Sequence, residues 1–306
     1  MIFESDHIRV CVPASTSNLG PGFDTLGLAL DLCTTVDVVQ SDTNTIVVTG
    51  EGSDVIPCDQ TNLVLRRMRQ LGDRFGRALP TVRLQIDNGI PLERGLGSSG
   101  AASLAGLLAA NALLHLVLDR PQLLDIAYEL EGHPDNVTPS LLGGCTVSAI
   151  DKGRVTALHV PIADDLVCAL CIPDLCIATR DARAVLPSSL SRADAVFNHS
   201  RTALLATALV TGRYDALRVA VQDRLHQPYR AAIFPALDPI VDAAHEVGAY
   251  GAFLSGAGST IAALTAPDRA SSIAQAMAAV GERHGLRCQT RIATIDRTGA
   301  RMACNP

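Results

Sequence analysis

Tryptophan is absent from the 306 residues, and aromatic residues make up 3% of them. Base stacking on aromatic platforms and aromatic cages are therefore poor candidates for its mode of binding. Lysine is almost as scarce. Lys152 is the only one, in the turn Asp151-Lys152-Gly153 between two strand-like runs, which argues against any mechanism built on a catalytic lysine. No G-K-[ST] triplet occurs, so there is no Walker A loop. Nor is there a run of five or six like charges. With a net charge of −6, the chain offers no basic face for nucleic acid or an anionic membrane, and a small soluble substrate fits better.

The nine cysteines are odd in number and sit mostly in apolar contexts, which points to a reducing compartment. The start, MIFESDHIRV, has neither a basic opening nor an apolar core, so the expected location is the cytoplasm. Cys168, Cys171 and Cys176 include a CxxC spacing but no second ligand pair, and LVCALCIP reads as a buried strand. Gly100 to Leu118 has about the length of a membrane span. Ser103, Asn111 and His115 interrupt it, so a buried core helix is expected.

What is present describes a globular α+β chain of two units: 48% hydrophobic and 18% charged residues over a length that suits two cores. Strand-like segments IRVCV, VDVV and TIVVT open it, with a polar Gly-rich loop region from Pro13 to Asp24. The spacing then predicts a helix over Thr61 to Phe75, a strand TVRLQID, a long apolar helix opening from the Gly-rich stretch and covering Gly100 to Leu118, a Pro-started helix from Pro121 and a hairpin around Asp151-Lys152-Gly153. Near residue 160 the pattern changes to strand, helices, two strands, helix and strand. That order suits a ferredoxin-like unit with inserted helices, and gives units of 1–160 and 161–306.

One stretch costs conformational entropy without an evident structural need. In PLERGLGSSGAASLAG, Gly95, Gly97 and Gly100 bracket Ser98 and Ser99 where a helix begins. A helix start carries unpaired N–H groups and partial positive charge, so such a loop suits phosphate, with the serines as caps or one as a Mg²⁺ ligand. The plainer alternative is a capped Gly-rich turn. Glu131 favours the first reading: it ends a helix close to Glu129, where the dipole disfavours carboxylates, and a divalent cation would relieve the conflict. Glu131, a loop serine and ATP together would make a complete Mg²⁺ site.

Three stretches, PASTSNLGPGFDTLGLAL, PLERGLGSSGAAS and GAFLSGAGSTIAAL, together resemble the three motifs of the galactokinase, homoserine, mevalonate and phosphomevalonate kinase superfamily. EGHPDNVTPSLLGG and RDARAVLP extend the resemblance over almost the whole chain, and Ser17-Asn18-Leu19-Gly20-Pro21-Gly22-Phe23-Asp24 makes it most similar to the homoserine kinase branch. The resemblance implies an N-terminal domain like the second domain of ribosomal protein S5, with a left-handed crossover, and a ferredoxin-like C-terminal domain. It also implies ATP-dependent phosphorylation of the L-homoserine hydroxyl in threonine biosynthesis, with a homodimer common in the family.

Residue by residue, the resemblance implies ATP contacts at Pro91, Arg94, Gly95, Leu96, Gly97, Ser98, Ser99, Gly100 and Ala101, and Mg²⁺ at Ser99 and Glu131. Gly256 and Gly258 are expected to form a second anion nest, and Asn62 to border the base. Arg183 and Arg230, with Thr179 beside them, are candidates for a bidentate grip on the substrate carboxylate, and Asp24 with Asn18 for its ammonium. Asn136 stands where mevalonate kinases are expected to have an aspartate base, so it is read as an orienter of the hydroxyl; Asp135 is the second choice as base, and His133 is read as structural. Two alternatives stay open: another small-molecule kinase of the superfamily, and a non-catalytic nucleotide sensor.

Overall fold

Period-two alternation in the first half of the chain produces strands whose apolar residues share a face. In the computed structural model, which describes residues 7–305, β1 (His7–Ser17) buries Ile8, Val10 and Val12 on one side. The first six residues, part of the N-terminal stretch read above for a leader, and Pro306 lie outside the described residues. β1 continues through Pro13–Ser17, so the loop expected from Pro13 begins only at Asn18. Its alternation ends where both faces become covered, and polar Ser15, Thr16 and Ser17 are themselves fully buried, which hides the strand from a hydropathy pattern.

The chain then runs through β2 (Leu26–Gln40), β3 (Thr45–Gly50), α1 (Leu63–Arg74), β4 (Val82–Asn88), α2 (Ser98–Leu113), α3 (Arg120–Glu131), α4 (Pro134–Leu142) and the hairpin β5 (Cys145–Asp151) and β6 (Arg154–Val160). β3 and β4 pair in parallel across α1, while β2 pairs antiparallel with β1, β4 and β5. α2, built from Ala, Leu and Gly, is apolar all round and accordingly buried against β1, α1, α3 and α4. Gly106 lets α1 approach, since a Cβ there would strike the Val64 carbonyl. Among the described residues no helix is long and apolar enough to cross a membrane. α3 starts with an Asp119–Gln122 capping box and stops at Gly132, which is left-handed. α4 lacks a side-chain N-cap, though Pro134 starts it and Gly143 ends it. Pro139 inside it removes the donor to the Asp135 carbonyl, against which Gly27 of β2 packs.

After β7 (Val167–Pro173) come α5 (Thr179–Ala184), α6 (Arg192–Thr211), α7 (Leu217–Ala220), α8 (Gln227–Arg230), α9 (Leu237–Glu246), β8 (Gly251–Leu254), β9 (Ile261–Thr265), α10 (Pro267–Arg283) and β10 (Cys288–Ala293). These strands form an antiparallel sheet in the order β10-β7-β9-β8, the strand order of a ferredoxin-like unit. Its two faces serve two cores: Cys168, Leu170 and Ile172 of β7 join the core under the first sheet, whereas Val167, Ala169 and Cys171 pack with α9 and α10. The CxxC pair thus points to opposite faces and shares no ligand position. The final strand β11 (Arg301–Asn305) returns to pair with β1. We propose that the chain divides into two units near residue 160, with this last strand carried back to the first.

Asn62 shows how one polar residue sets an element's start. It is 1% exposed, its Oδ1 accepts the amides of Val64 and Leu65, and its Nδ2 donates to the Pro57 carbonyl at 2.7 Å. Asn62→Ala should lower the unfolding free energy by about 1–2 kcal/mol, read from the shift in urea midpoint at unchanged slope.

Candidate active site

Three loops and the start of α4 converge on one cleft of about 1250 Å³. Backbone strain gathers there: Asn18, Leu19 and Asp24 in the first loop and Glu93 in the second have φ of 69°, 47°, 53° and 52°. Left-handed backbone at non-glycine residues costs about 1–2 kcal/mol each, so something must hold it. Leu19 is fully buried, the Asn18 Oδ1 accepts the Asp24 amide at 3.1 Å, and the Asn18 Nδ2 donates to the Gly256 carbonyl at 3.2 Å. From α6, Thr202 Oγ1 donates to the Pro21 carbonyl at 3.0 Å. The loop is clamped by its own Asn18 and by Thr202 and Gly256 from the later half of the chain, and Asp24 is presented to the cleft.

The second loop ends at Gly97, the N-cap of α2, with φ 72° and no side-chain cap. Ser98 and Ser99 are the first two helical residues, so neither serine caps as expected. The amides of the first turn have no intrahelical acceptor and open on the cleft. The glycines are needed by the protein itself: a Cβ on Gly95 would strike the Ser255 carbonyl, and one on Gly97 the Ser15 hydroxyl.

Glu131, at the end of α3, has Oε1 2.8 Å from the Arg67 Nη2 and 2.7 Å from the Ser103 hydroxyl; Oε2 accepts from the Ser99 hydroxyl at 3.0 Å. Both side chains of the Arg67–Glu131 pair are about nine-tenths buried. This overturns the electrostatic conflict read from the sequence. Arg67 compensates Glu131, and Glu129 turns outward to Arg74 at 2.8 Å. Glu131 still places a carboxylate oxygen against Ser99 at the glycine-rich-loop end of the cleft.

The third loop is not the free anion nest expected. The Gly256 amide donates to the Ser17 carbonyl at 3.1 Å and the Gly258 amide to the Ser255 carbonyl at 2.8 Å. Ser255 Oγ donates to the Gly95 carbonyl at 2.6 Å, which locks this loop onto the second.

Positive charge faces the opposite end. Arg230, 2% exposed, donates from Nε to the Ala182 carbonyl and from Nη1 to the Gly256 carbonyl at 2.7 Å. Among the described residues no carboxylate pairs with it and no acceptor meets its Nη2; burial, and then Arg183, bring its pKa down to about 10. Arg183 spends its fork on Asp24, with Nη1 and Nη2 each bonded to one carboxylate oxygen at 3.1 and 2.5 Å. Neither arginine therefore keeps a whole fork for a ligand, contrary to the bidentate grip expected. Phe23 lies beneath both, its ring centroid 5.2 Å from the Arg183 guanidinium carbon and 5.6 Å from that of Arg230. Beside them, His133 Nδ1 bonds the buried Asp135 at 2.8 Å, and the Asn136 Oδ1 accepts the Ser15 hydroxyl at 3.0 Å.

Residues 62–144 match the family model described as GHMP kinases N terminal domain, and residues 205–283 match GHMP kinases C terminal. A homoserine kinase of Desulfitobacterium hafniense is 44% identical over 293 residues, covering 96% of this chain and 99% of that protein. Among solved structures, homoserine kinase from Cytophaga hutchinsonii superposes with a TM-score of 0.86 at 28% identity, covering 98% of each chain. L. major mevalonate kinase, crystallised with R-mevalonate, shares the fold at a TM-score of 0.71 and 15% identity, over 93% of this chain and 94% of that one. The chain belongs to the GHMP kinase family.

This GHMP kinase has the α+β two-domain fold of that family. Nearly all the residues singled out in its sequence line the one cleft, Asn62, Pro91, Arg94, Leu96, Gly100 and Thr179 among them. Ala101 and Gly258 do not: Ala101 is fully buried in α2, and Gly258 lies behind Gly256 against Leu254. Asn62 reaches the cleft but spends its amide on capping α1. Sequence reasoning missed Ser15, Phe23 and Arg67. Phe23 stood inside the first motif with a visible aromatic signal; Arg67 carried none, since its partner lies 64 positions along the chain.

His133 adds a pH dependence. Burial disfavours its charge, but the Asp135 hydrogen bond and field outweigh this and hold its pKa above the ordinary 6.5. Its stabilisation is then complete below the unfolded value and is lost as pH rises through the folded one. His226 and His245, held low by burial, act on the acid side. The His133 contribution, read as the difference in unfolding free energy between the parent and His133→Gln by urea titration, should therefore decline as pH rises above 6.5.

Proposed function

We propose that this protein transfers the γ-phosphoryl group of ATP to the hydroxyl of L-homoserine, giving O-phospho-L-homoserine. The observation that carries the substrate assignment is Arg230, a buried guanidinium with no carboxylate partner among the described residues, facing the same cleft as the open amides of α2. A buried cation left unpaired is costly, so a ligand carboxylate there is strongly favoured. Its identity with proteins described as homoserine kinases supports the same substrate. Asp24, held by Arg183, and Asp135, held by His133, supply negative charge for the substrate ammonium.

The phosphates lie along Gly95–Gly100, where first-turn amides and the helix dipole favour them. Ser99 and Glu131 fit Mg²⁺: two hard oxygen donors 3.0 Å apart, with one carboxylate oxygen already neutralised by Arg67. When bound there, Mg²⁺ would supply charge neutralisation on the phosphates. The chain's own residues supply alignment. Asn136, its Oδ1 fixed by Ser15, orients the substrate hydroxyl toward the γ-phosphorus. The new O–P bond forms as the bond to the ADP oxygen breaks, and because the transition state is loose, positioning carries most of the rate. The proton leaves late, to phosphate or solvent; Asp135 is the second choice as acceptor among the side chains. The enzyme is placed in the cytoplasm, a reading its cysteine content supports.

ADP release with Mg-ATP should require L-homoserine and not occur with mevalonate or galactose. Turnover with another acceptor alone would overturn the assignment, and none at all with folded protein would favour a nucleotide sensor. Arg230→Met should raise the homoserine KM by about a hundredfold, the worth of a charge-assisted hydrogen bond in a buried site, with the ATP KM near its parent value. An equal rise in both would remove Arg230 from the carboxylate.

A further inference from the structure

His226 is fully buried, and its ring has two partners of fixed polarity. Nε2 lies 2.7 Å from the Gly20 carbonyl, which can only accept; Nδ1 lies 3.1 Å from Arg230 Nη1, which can only donate. The tautomer follows without choice: neutral imidazole, protonated on Nε2, with the Nδ1 lone pair turned to the arginine. We propose that His226 is a positioning residue for substrate recognition, holding Arg230 so that its Nη2 alone meets the homoserine carboxylate. This rests on the role given to Arg230 above.

The bonds around the pair leave little freedom. Nε and both Nη1 hydrogens of Arg230 are engaged by Ala182, Gly256 and His226, three of its five donors, so the two on Nη2 are what the protein leaves over. The imidazole is held in turn. Asp223 accepts the His226 amide at 2.8 Å and the Gln227 amide at 2.7 Å through Oδ2, and the Leu225 amide at 2.9 Å and Asn198 Nδ2 at 2.7 Å through Oδ1. The Asp223 carboxylate is 3.7 Å from Nε2, outside hydrogen-bond range, so Nε2–H stays on Gly20. Burial, against the field of Asp223 and with that of Arg230, keeps the ring below its ordinary pKa and so uncharged beside the guanidinium. Phe23 closes the other side, with ring centroids 5.4 Å apart. One ring thereby ties the first loop, through Gly20, to the cation that reads the substrate.

Two substitutions separate the two nitrogens. His226→Asn puts an amide oxygen near the Nδ1 position and keeps an acceptor for Arg230; His226→Gln reaches toward Gly20 and loses that acceptor. The homoserine KM should rise about tenfold in His226→Gln, one hydrogen bond to a charged group, and stay within about threefold in His226→Asn by the same scale. The ATP KM should hold in both. Equal effects of the two on the homoserine KM, or a parallel rise in the ATP KM, would reduce His226 to a packing role and overturn the proposal. If Arg230→Met leaves the homoserine KM unchanged, the role of Arg230 itself fails; if it raises the KM while both His226 variants do not, only the positioning role fails. Should either variant unfold, ¹⁵N spectra of the parent protein decide: Nε2–H with a bare Nδ1 is expected, and an Nδ1–H or imidazolium signal overturns it.

Discussion

The close approach of the Ser255–Ser259 loop to Gly95 is the constraint on which the site depends. The Ser255 hydroxyl bonds the Gly95 carbonyl, and the Thr260 amide bonds the Arg94 carbonyl, so a loop from the second sheet is fastened to the loop that starts α2. Left-handed φ and the lack of room for a Cβ both demand glycine at Gly95. From that junction the Gly256 carbonyl reaches in two directions, to Asn18 in the first loop and to Arg230. The Gly95–Gly100 loop and Arg230 are thus spaced by a few backbone bonds between strands. Strain in the first loop is sustained by the same contacts.

Of Glu131, Asp135, Asp24 and Arg230 in the cleft, all but one are answered by an opposite charge among the described residues. Glu131 has Arg67, Asp135 has His133, and Asp24 has Arg183. Arg230 is the exception, and its neighbours are carbonyls and a neutral imidazole rather than carboxylates. A carboxylate in contact would cancel the cation before a substrate arrived. Carbonyl and imidazole acceptors hold the guanidinium in place and leave its charge available, a form of preorganisation that removes ordering cost from binding.

Most of the fold was legible because its elements carry local signals. Alternation marked β4, a continuous apolar run marked β7 and the Asp151-Lys152-Gly153 turn marked the β5–β6 hairpin; Pro121 and Gly132 bracketed α3, and the order of elements suited the second sheet. Signals failed where local rules were outweighed by distant contacts. The end of β1 is polar yet buried, α4 contains Pro139, and β11 pairs with a strand nearly 300 positions earlier. The site followed the same division. Its loops were visible as glycine-rich motifs, but the glycines at 95 and 97 answer to Ser255 and Ser15 rather than to a ligand alone, and the compensation of Glu131 by Arg67 could not be seen from either residue's neighbourhood.

The use of arginine at positions 67 and 230 has a physical reading. A lysine is a strongly hydrated point charge, whereas guanidinium is planar, weakly hydrated and able to bind several acceptors while keeping its charge when buried. Arg67 serves Ser103, Gln70 and Glu131 at once, and Arg230 serves Ala182, Gly256 and His226 while leaving one nitrogen over. Neither task suits an ammonium group, whose three donors sit on a single atom. In this cleft the cations act first as structural hubs, and recognition uses the donors that structure leaves free.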